Sequence, residues 1–240
     1  MKRVSKNLTK AVTLSVLLML PYGMAWAETF EYAITGADDT YTDYRTYDKK
    51  TNTYTYTLGN GAILDLKTYY QNHKPYYFNT IGINAENENI VINGALNIKM
   101  EKGETQNSGN VHSAMSINGE NLVLDRRGGG DIELTGGTGS SAAVIDGDNN
   151  KMYLGNGNIT LTTNTGTPTP VLDVNGSGNL LVYAGNRDKN KKILHYANGN
   201  DDYSRGIGVR IATTKNKNNN KVILGYTGDY SDGDLSKFND

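Results

Sequence analysis

Residues 143–161 read AVIDGDNNKMYLGNGNITL. Three short runs, Ala143 to Ile145, Lys151 to Leu154 and Asn158 to Leu161, are separated by polar turns. In the last of them Ile159 and Leu161 share one face of a strand, while Asn158 and Thr160 share the other. A strand this short with one apolar face cannot bury that face alone. It needs copies of itself stacked above and below.

The copies are present on both sides. A phrase ending in Ile or Val recurs at Ile83, Ile117, Ile145, Val174 and Ile211, at intervals of 34, 28, 29 and 37 residues. Asn84, Asn118, Asp146 and Asn175 follow the first four, and Ala212 follows the fifth. The first unit holds Ile81 to Asn84, Asn89 to Ile92 and Leu96 to Met100; the second holds Ala114 to Ile117, Asn121 to Leu124 and Asp131 to Leu134. The fourth holds Val171 to Val174, Asn179 to Val182 and Lys192 to Tyr196, and the fifth Gly208 to Ile211 and Lys221 to Leu224.

Three strands per unit, stacked unit on unit, predict an all-β chain folded as a right-handed parallel β-helix of about five coils. At the parallel-strand spacing such a rod is roughly 20–25 Å long. The expected core ladder is Ile83, Ile117, Ile145, Val174 and Ile211, with Leu124, Leu154, Leu134 and Leu161 on the other faces. Asn118-Gly119, Asp146-Gly147 and Asn175-Gly176 suit sharp corners, because Asn, Asp and Gly tolerate left-handed backbone. Their stacked side chains would form a ladder between coils. The rival reading makes these dipeptides hairpin turns of an antiparallel sandwich. The polar stretches Asn186 to Lys191 and Lys215 to Asn220 are expected as loops at corners.

Ten of the 17 tyrosines lie between Tyr32 and Tyr77. Residues 28–78 are therefore expected to form a tyrosine-rich β cap over the first coil, with residues 79–225 as the β-helix repeats. The alternative is a sugar-binding surface, since tyrosine offers flat apolar area with a polar tip. Residues 226–240 read as a polar tail that either covers the last coil or leads into a longer protein.

The first 27 residues differ from all of this. Lys2, Arg3, Lys6 and Lys10 precede an apolar run from Ala11 to Leu20, which Pro21 and Gly23 end. Ala25-Trp26-Ala27 then places small residues where a signal peptidase reads. A cleavable secretory signal is expected, cut between Ala27 and Glu28. A membrane anchor would need about 20 apolar residues. Loss of four basic residues with the signal leaves the remainder acidic, against a nucleic-acid partner. The chain has no cysteine. Stacked β-structure can replace disulfides as a source of stability, and a cross-linked loop would obstruct a second membrane crossing.

Residues with catalytic potential are scattered. His73, His112 and His195 are far apart in sequence and in no metal-ligand spacing. Gly128-Gly129-Gly130-Asp131-Ile132 resembles one copy of a calcium-binding nonapeptide, but such sites need stacked copies, and a glycine-rich corner is the simpler reading. Asp125-Arg126-Arg127 reads as a solvated corner. The one enzymatic reading is a β-helix polysaccharide lyase or hydrolase, with Asp146, Asp148 and Asp173 beside Arg126 or Arg127. No metal and no cofactor are expected.

The signal ending Ala-Trp-Ala, the absence of cysteine and the Asn- and Gly-rich three-strand repeats together resemble the N-terminal passenger region of Gram-negative autotransporters, the type V secretion route. Residues 1–225 carry the resemblance. It implies export through the Sec translocon and a β-helical passenger at the cell surface or outside the cell. It also implies an adhesin-like, non-enzymatic role, with a host-cell surface protein or glycan as partner. The translocator barrel of that family has no counterpart here, and the chain ends Lys237-Phe238-Asn239-Asp240. Without it, the expected location is the periplasm. The uncovered last coil is then expected to self-associate.

Overall fold

The computed structural model describes residues 28–59, 61–66, 80–101, 112–137, 141–163, 170–184, 193–197, 207–212, 219–226 and 238. The signal-like segment with Ala25 and Ala27, His73, four of the ten N-terminal tyrosines and most of both Lys- and Asn-rich stretches lie outside them. Among the described residues no α-helix occurs, and no helix is long and apolar enough to cross a membrane.

The strands form three sheets. Sheet A runs β1 (Thr29–Phe30), β4 (Ala62–Asp65), β7 (Leu96–Glu101), β10 (Ile132–Gly137), β13 (Ile159–Thr163) and β16 (Ile193–Ala197). Sheet B runs β5 (Thr80–Ala85), β8 (His112–Asn118), β11 (Ser141–Asp146), β14 (Pro170–Asn175) and β17 (Ile207–Ala212). Sheet C runs β2 (Arg45–Asp48), β3 (Thr53–Thr57), β6 (Asn89–Asn93), β9 (Val123–Asp125), β12 (Lys151–Tyr153), β15 (Leu180–Tyr183) and β18 (Lys221–Leu224). From β5 onward each sheet takes every third strand, and each strand pairs in parallel with the one three places on. This order is compatible with a three-sided parallel β-helix. The expected strand runs all fall on strands, to within three residues at their ends.

Sheet A keeps the strict alternation. Ile98, Ile132 and Ile159 pair in one buried column, and Met100, Leu134 and Leu161 in the next. Lys99, Glu133 and Thr160 form the column between, turned outward. Sheet B is less regular. Ser113, Ala114 and Met115 are consecutive and all buried, as are Ser141, Ala142 and Ala143. Pairing passes over Ala114 and Ala142, so the strands bend there and bury small side chains in succession.

The ladder of sheet B corrects the expected register. Ile117, Ile145, Val174 and Ile211 do pair in sequence, but Ile117's partner in β5 is Ala85. Ile83 pairs with Met115, one inward step earlier. The cause is a tighter first corner. Ile117 precedes Leu124 by seven residues, whereas Ala85 precedes Ile90, the partner of Leu124, by five. Ile211 keeps its place in the column but not in the core. It lies on the last strand of sheet B and is 44% exposed.

Within the segment expected as a cap, residues 28–59 and 61–66 extend the same sheets. β1 and β4 continue sheet A, Ile34 bridges in parallel to Ile83 of sheet B, and β3 continues sheet C. Only β2 departs. It pairs antiparallel with β3 and is the outermost strand of sheet C at that end.

Candidate interaction sites

The corner between sheets B and C is built from stacked backbone. Gly147 and Gly176 have φ of 124° and 102°. Gly119 N donates to Asp146 O (3.0 Å), and Gly176 N to Ala212 O (3.1 Å). The asparagine ladder sits beyond the expected positions, Asn150 and Asn179 each four residues past Asp146 and Asn175. Asn150 N donates to Asn179 Oδ1 (2.8 Å), and Asn179 N to Asn220 Oδ1 (2.9 Å). The Nδ2 groups of Asn150, Asn179 and Asn220 donate in turn to the carbonyls of Gly119, Gly147 and Gly176, each at 2.8 Å. Asn150 and Asn179 are buried, so these amides satisfy corner carbonyls that water cannot reach. Asn118, Asp146 and Asn175, the expected ladder, do pair in register, but Asn118 and Asp146 point into solvent.

The Asp125-Arg126-Arg127 corner is not solvated as expected. Asp125 and Arg126 are buried. Arg126 directly follows β9, and its side chain turns into the interior. There Nε donates to Leu154 O (3.1 Å) and Nη2 to Gly130 O (2.5 Å). Burial lowers its pKa to about 10, against a smaller opposing effect of the Asp131 charge. Tyr183 lies in the same core, its hydroxyl donating to Gly157 O, and burial raises its pKa to about 12. Arg127 pairs with Asp125 at 2.6 Å.

Of the acids of the enzymatic reading, Asp146 ends β11 and Asp173 lies on the neighbouring strand β14, whereas Arg126 is buried after β9 of sheet C. Asp173 lies on sheet B, where Arg210 of the next strand holds it through two hydrogen bonds. Asp148 sits at the B–C corner, where its Oδ1 accepts from Ser177 N (2.8 Å). Asp131 accepts from Asn158 N (2.8 Å) at the other side of sheet C, on the glycine-rich corner. His112 and His195 lie on strands of different sheets. Among the described residues, no three His, Asp or Glu side chains cluster so as to hold a metal.

The two ends of the stack differ. At the N-terminal end Phe30 is buried beneath Tyr41 and Tyr44, edge to face at 4.8 and 5.1 Å. Asp39 gathers the loop above them: it accepts from Thr35 N, Tyr41 N, Arg45 Nη1 and the Tyr56 hydroxyl. Burial first, and Asp39 second, raise the pKa of Tyr56; burial raises that of Tyr41 to about 12. Arg45 lies over the Tyr54 ring, and Tyr47 stacks on Tyr54 with its own ring 48% exposed.

At the other end Ile211 and Leu224 are 44% and 51% exposed. Phe238 is buried on the outer face of sheet C, with Tyr153, Leu180, Val182 and Ala184. Its ring meets Tyr226 at 4.5 Å, and Lys221 Nζ donates to its carbonyl (2.6 Å). In sequence, Phe238 is one of three aromatics of the polar tail, with Tyr226 and Tyr230, and nothing there marks it as the anchor. Compared with protein-family models, curated proteins and solved structures, the chain finds no match.

Proposed function

We propose that this chain is an exported, right-handed parallel β-helix that acts as a non-enzymatic interaction scaffold, adhesin-like, of the kind found in autotransporter passengers. Three parallel sheets sharing every third strand support the solenoid. The right-handed sense rests on the strong preference of parallel crossover connections for that hand. Export through the Sec translocon, with cleavage between Ala27 and Glu28, rests on the charge and apolar pattern of residues 1–27.

The observation that carries the non-enzymatic reading is where the charged groups point. A lyase or hydrolase needs carboxylates and a cation converging on open surface. Here Asp173 and Arg210 neutralise each other, Asp148 and Asp131 cap backbone N–H groups, and Arg126 donates to backbone carbonyls inside the core. Each is engaged in holding one unit to the next. What remains for recognition is side-chain texture on the outer faces and ends, suited to a host-cell surface protein or glycan.

The test is expression in a Gram-negative host followed by mass measurement and two assays on the exported protein. The mature chain should begin at Glu28 and bind cultured epithelial cells saturably. It should release no product from acidic or neutral polysaccharides, with or without calcium. Robust turnover lost in Asp148→Ala or Asp173→Ala would overturn the non-enzymatic reading.

A further inference from the structure

We propose that the outer face of sheet C, over β12, β15 and β18, binds an acidic peptide segment that carries an aromatic residue, and that the chain's own tail holds this face closed. Register sets the columns there. Tyr153, Val182 and Ile223 are partners in one column, and Lys151, Leu180 and Lys221 in another. On the same strands Met152, Leu181 and Val222 turn inward to the core. The outward column of sheet A, by contrast, is Lys99, Glu133 and Thr160. Apolar residues on the outside of a sheet have no core to serve, and a patch of them marks an interaction site.

The chemistry of the occupant is visible in the residue already seated there. Phe238 is buried against Tyr153, Leu180, Val182 and Ala184. Its ring meets Tyr226 edge to face, and Lys221 Nζ donates to its carbonyl (2.6 Å). A buried aromatic anchor with a hydrogen bond to the main chain beside it is a common way to hold a peptide. Charge points the same way. Residues 227–240 carry Asp229, Asp232, Asp234 and Asp240 against Lys237 alone, while the column that holds Leu180 presents Lys151 and Lys221.

The seat can open without unfolding the chain. The cluster around Phe238 and the core cluster lie on opposite faces of sheet C and share no residue. Withdrawing Phe238 therefore leaves the interior packing in place. The surface rests on the fold alone and needs neither export nor adhesion.

The experiment uses the full-length chain and a labelled peptide of its residues 231–240, blocked at both ends, followed by fluorescence anisotropy. Phe238→Ala empties the seat and should bind the peptide saturably, with unchanged far-UV circular dichroism. In the parent the tethered tail competes at an effective concentration of about a millimolar, so it should bind the peptide at least roughly tenfold more weakly. A peptide with its phenylalanine replaced by alanine should not bind Phe238→Ala, and one with Asp232→Asn and Asp234→Asn should bind it more weakly. Equal binding by parent and variant, no binding by the variant, or undiminished binding of either altered peptide would overturn the proposal. So would a Phe238→Ala chain that unfolds, which would make the tail part of the core fold. Self-association of that variant to the exclusion of the peptide would also overturn it, because the face would then take a second copy.

Discussion

Replacing Gly147 by alanine should destabilise this protein severely, and the reason is backbone proximity. Gly147 lies at the corner between β11 and β12 with φ of 124°. A Cβ there would sit 1.9 Å from Gly119 O and 2.8 Å from Gly119 C, in the unit before. Both atoms are backbone, so no rotamer change can relieve the contact. Gly176 repeats the arrangement one unit on, 2.1 Å from Gly147 O. Holding a non-glycine residue in this region costs about 1–3 kcal/mol. Overpacking adds about 1–3 kcal/mol as the units are forced apart. The entropy lost from the unfolded chain returns only about 0.4–1 kcal/mol. The net loss is about 2–5 kcal/mol, or a fall in Tm of roughly 5–20 °C for a domain of this size. Gly208→Ala is the control. Nothing lies within 4 Å of its added Cβ, so that variant should be neutral or slightly stabilised. Urea denaturation followed by circular dichroism measures both. Gly147→Ala within about 0.5 kcal/mol of the parent would refute the stacked-corner account.

Asn179 makes two bonds to the unit before, Oδ1 accepting from Asn150 N and Nδ2 donating to Gly147 O, and one within its own unit to Asn175 O, so Asn179→Ala should cost about 2–4 kcal/mol. Asn118→Ala, at the exposed corner, should cost under about 0.5 kcal/mol in the same denaturation series. Leu154→Asp places a carboxylate among buried apolar residues and should cost several kcal/mol, roughly 3 or more, while Thr160→Asp on an outward column should be nearly silent. Equal losses at those two sites would contradict the alternation. Alkali should unfold the protein between pH 10 and 12. The pKa values of Tyr41 and Tyr183 are raised to about 12 and that of Tyr56 is raised as well. The unfolded chain therefore releases phenolic protons near pH 10 that the folded chain retains, and stability falls as pH rises through this window. Arg126 works the other way, because its lowered pKa lets the folded chain release a proton that the unfolded chain still holds. Arg126→Met should thus steepen the alkaline fall, and a pH titration of the urea midpoint in which that variant falls less steeply than the parent would contradict this.

The strands were legible because a period of two within each run and a spacing near 30 residues between runs are both set by burial. Every apolar position of sheet A, from Leu96 to Leu161, follows from that rule. What escaped was set by geometry that composition does not encode. Ile83 and Ile117 each end a run and precede an Asn, which aligns them in sequence, yet the first corner is two residues tighter and Ala85 takes the place. The expectation of a solvated Arg126 comes from a charged triplet set beside a glycine run, which usually is a solvated turn. The burial of Arg126 depends on two carbonyls, Leu154 O and Gly130 O, that only the fold brings within reach. The ladder asparagines were assigned to residues that end sheet B strands. Asn150, Asn179 and Asn220 instead stand immediately before Lys151, Leu180 and Lys221, where sheet C strands begin. That shared position was a usable signal. In the N-terminal segment, alternating Thr and Tyr from Thr53 to Thr57 form a strand, whereas the tie of Tyr56 to Asp39 joins residues 17 apart through a loop without periodicity.

The central claim is that strands pair with the strand one whole unit away and not with their neighbours in sequence. Glu133 and Thr160 are register partners on the outward face of sheet A. Their Cα atoms should therefore lie about 5 Å apart, within disulfide range. In a cysteine-free chain, Glu133→Cys with Thr160→Cys should oxidise to an intramolecular bridge under native conditions. Glu133→Cys with Val144→Cys, which an antiparallel hairpin of β10 and β11 would bring together, should stay reduced. A bridge in the second pair and none in the first would contradict the stacked parallel architecture.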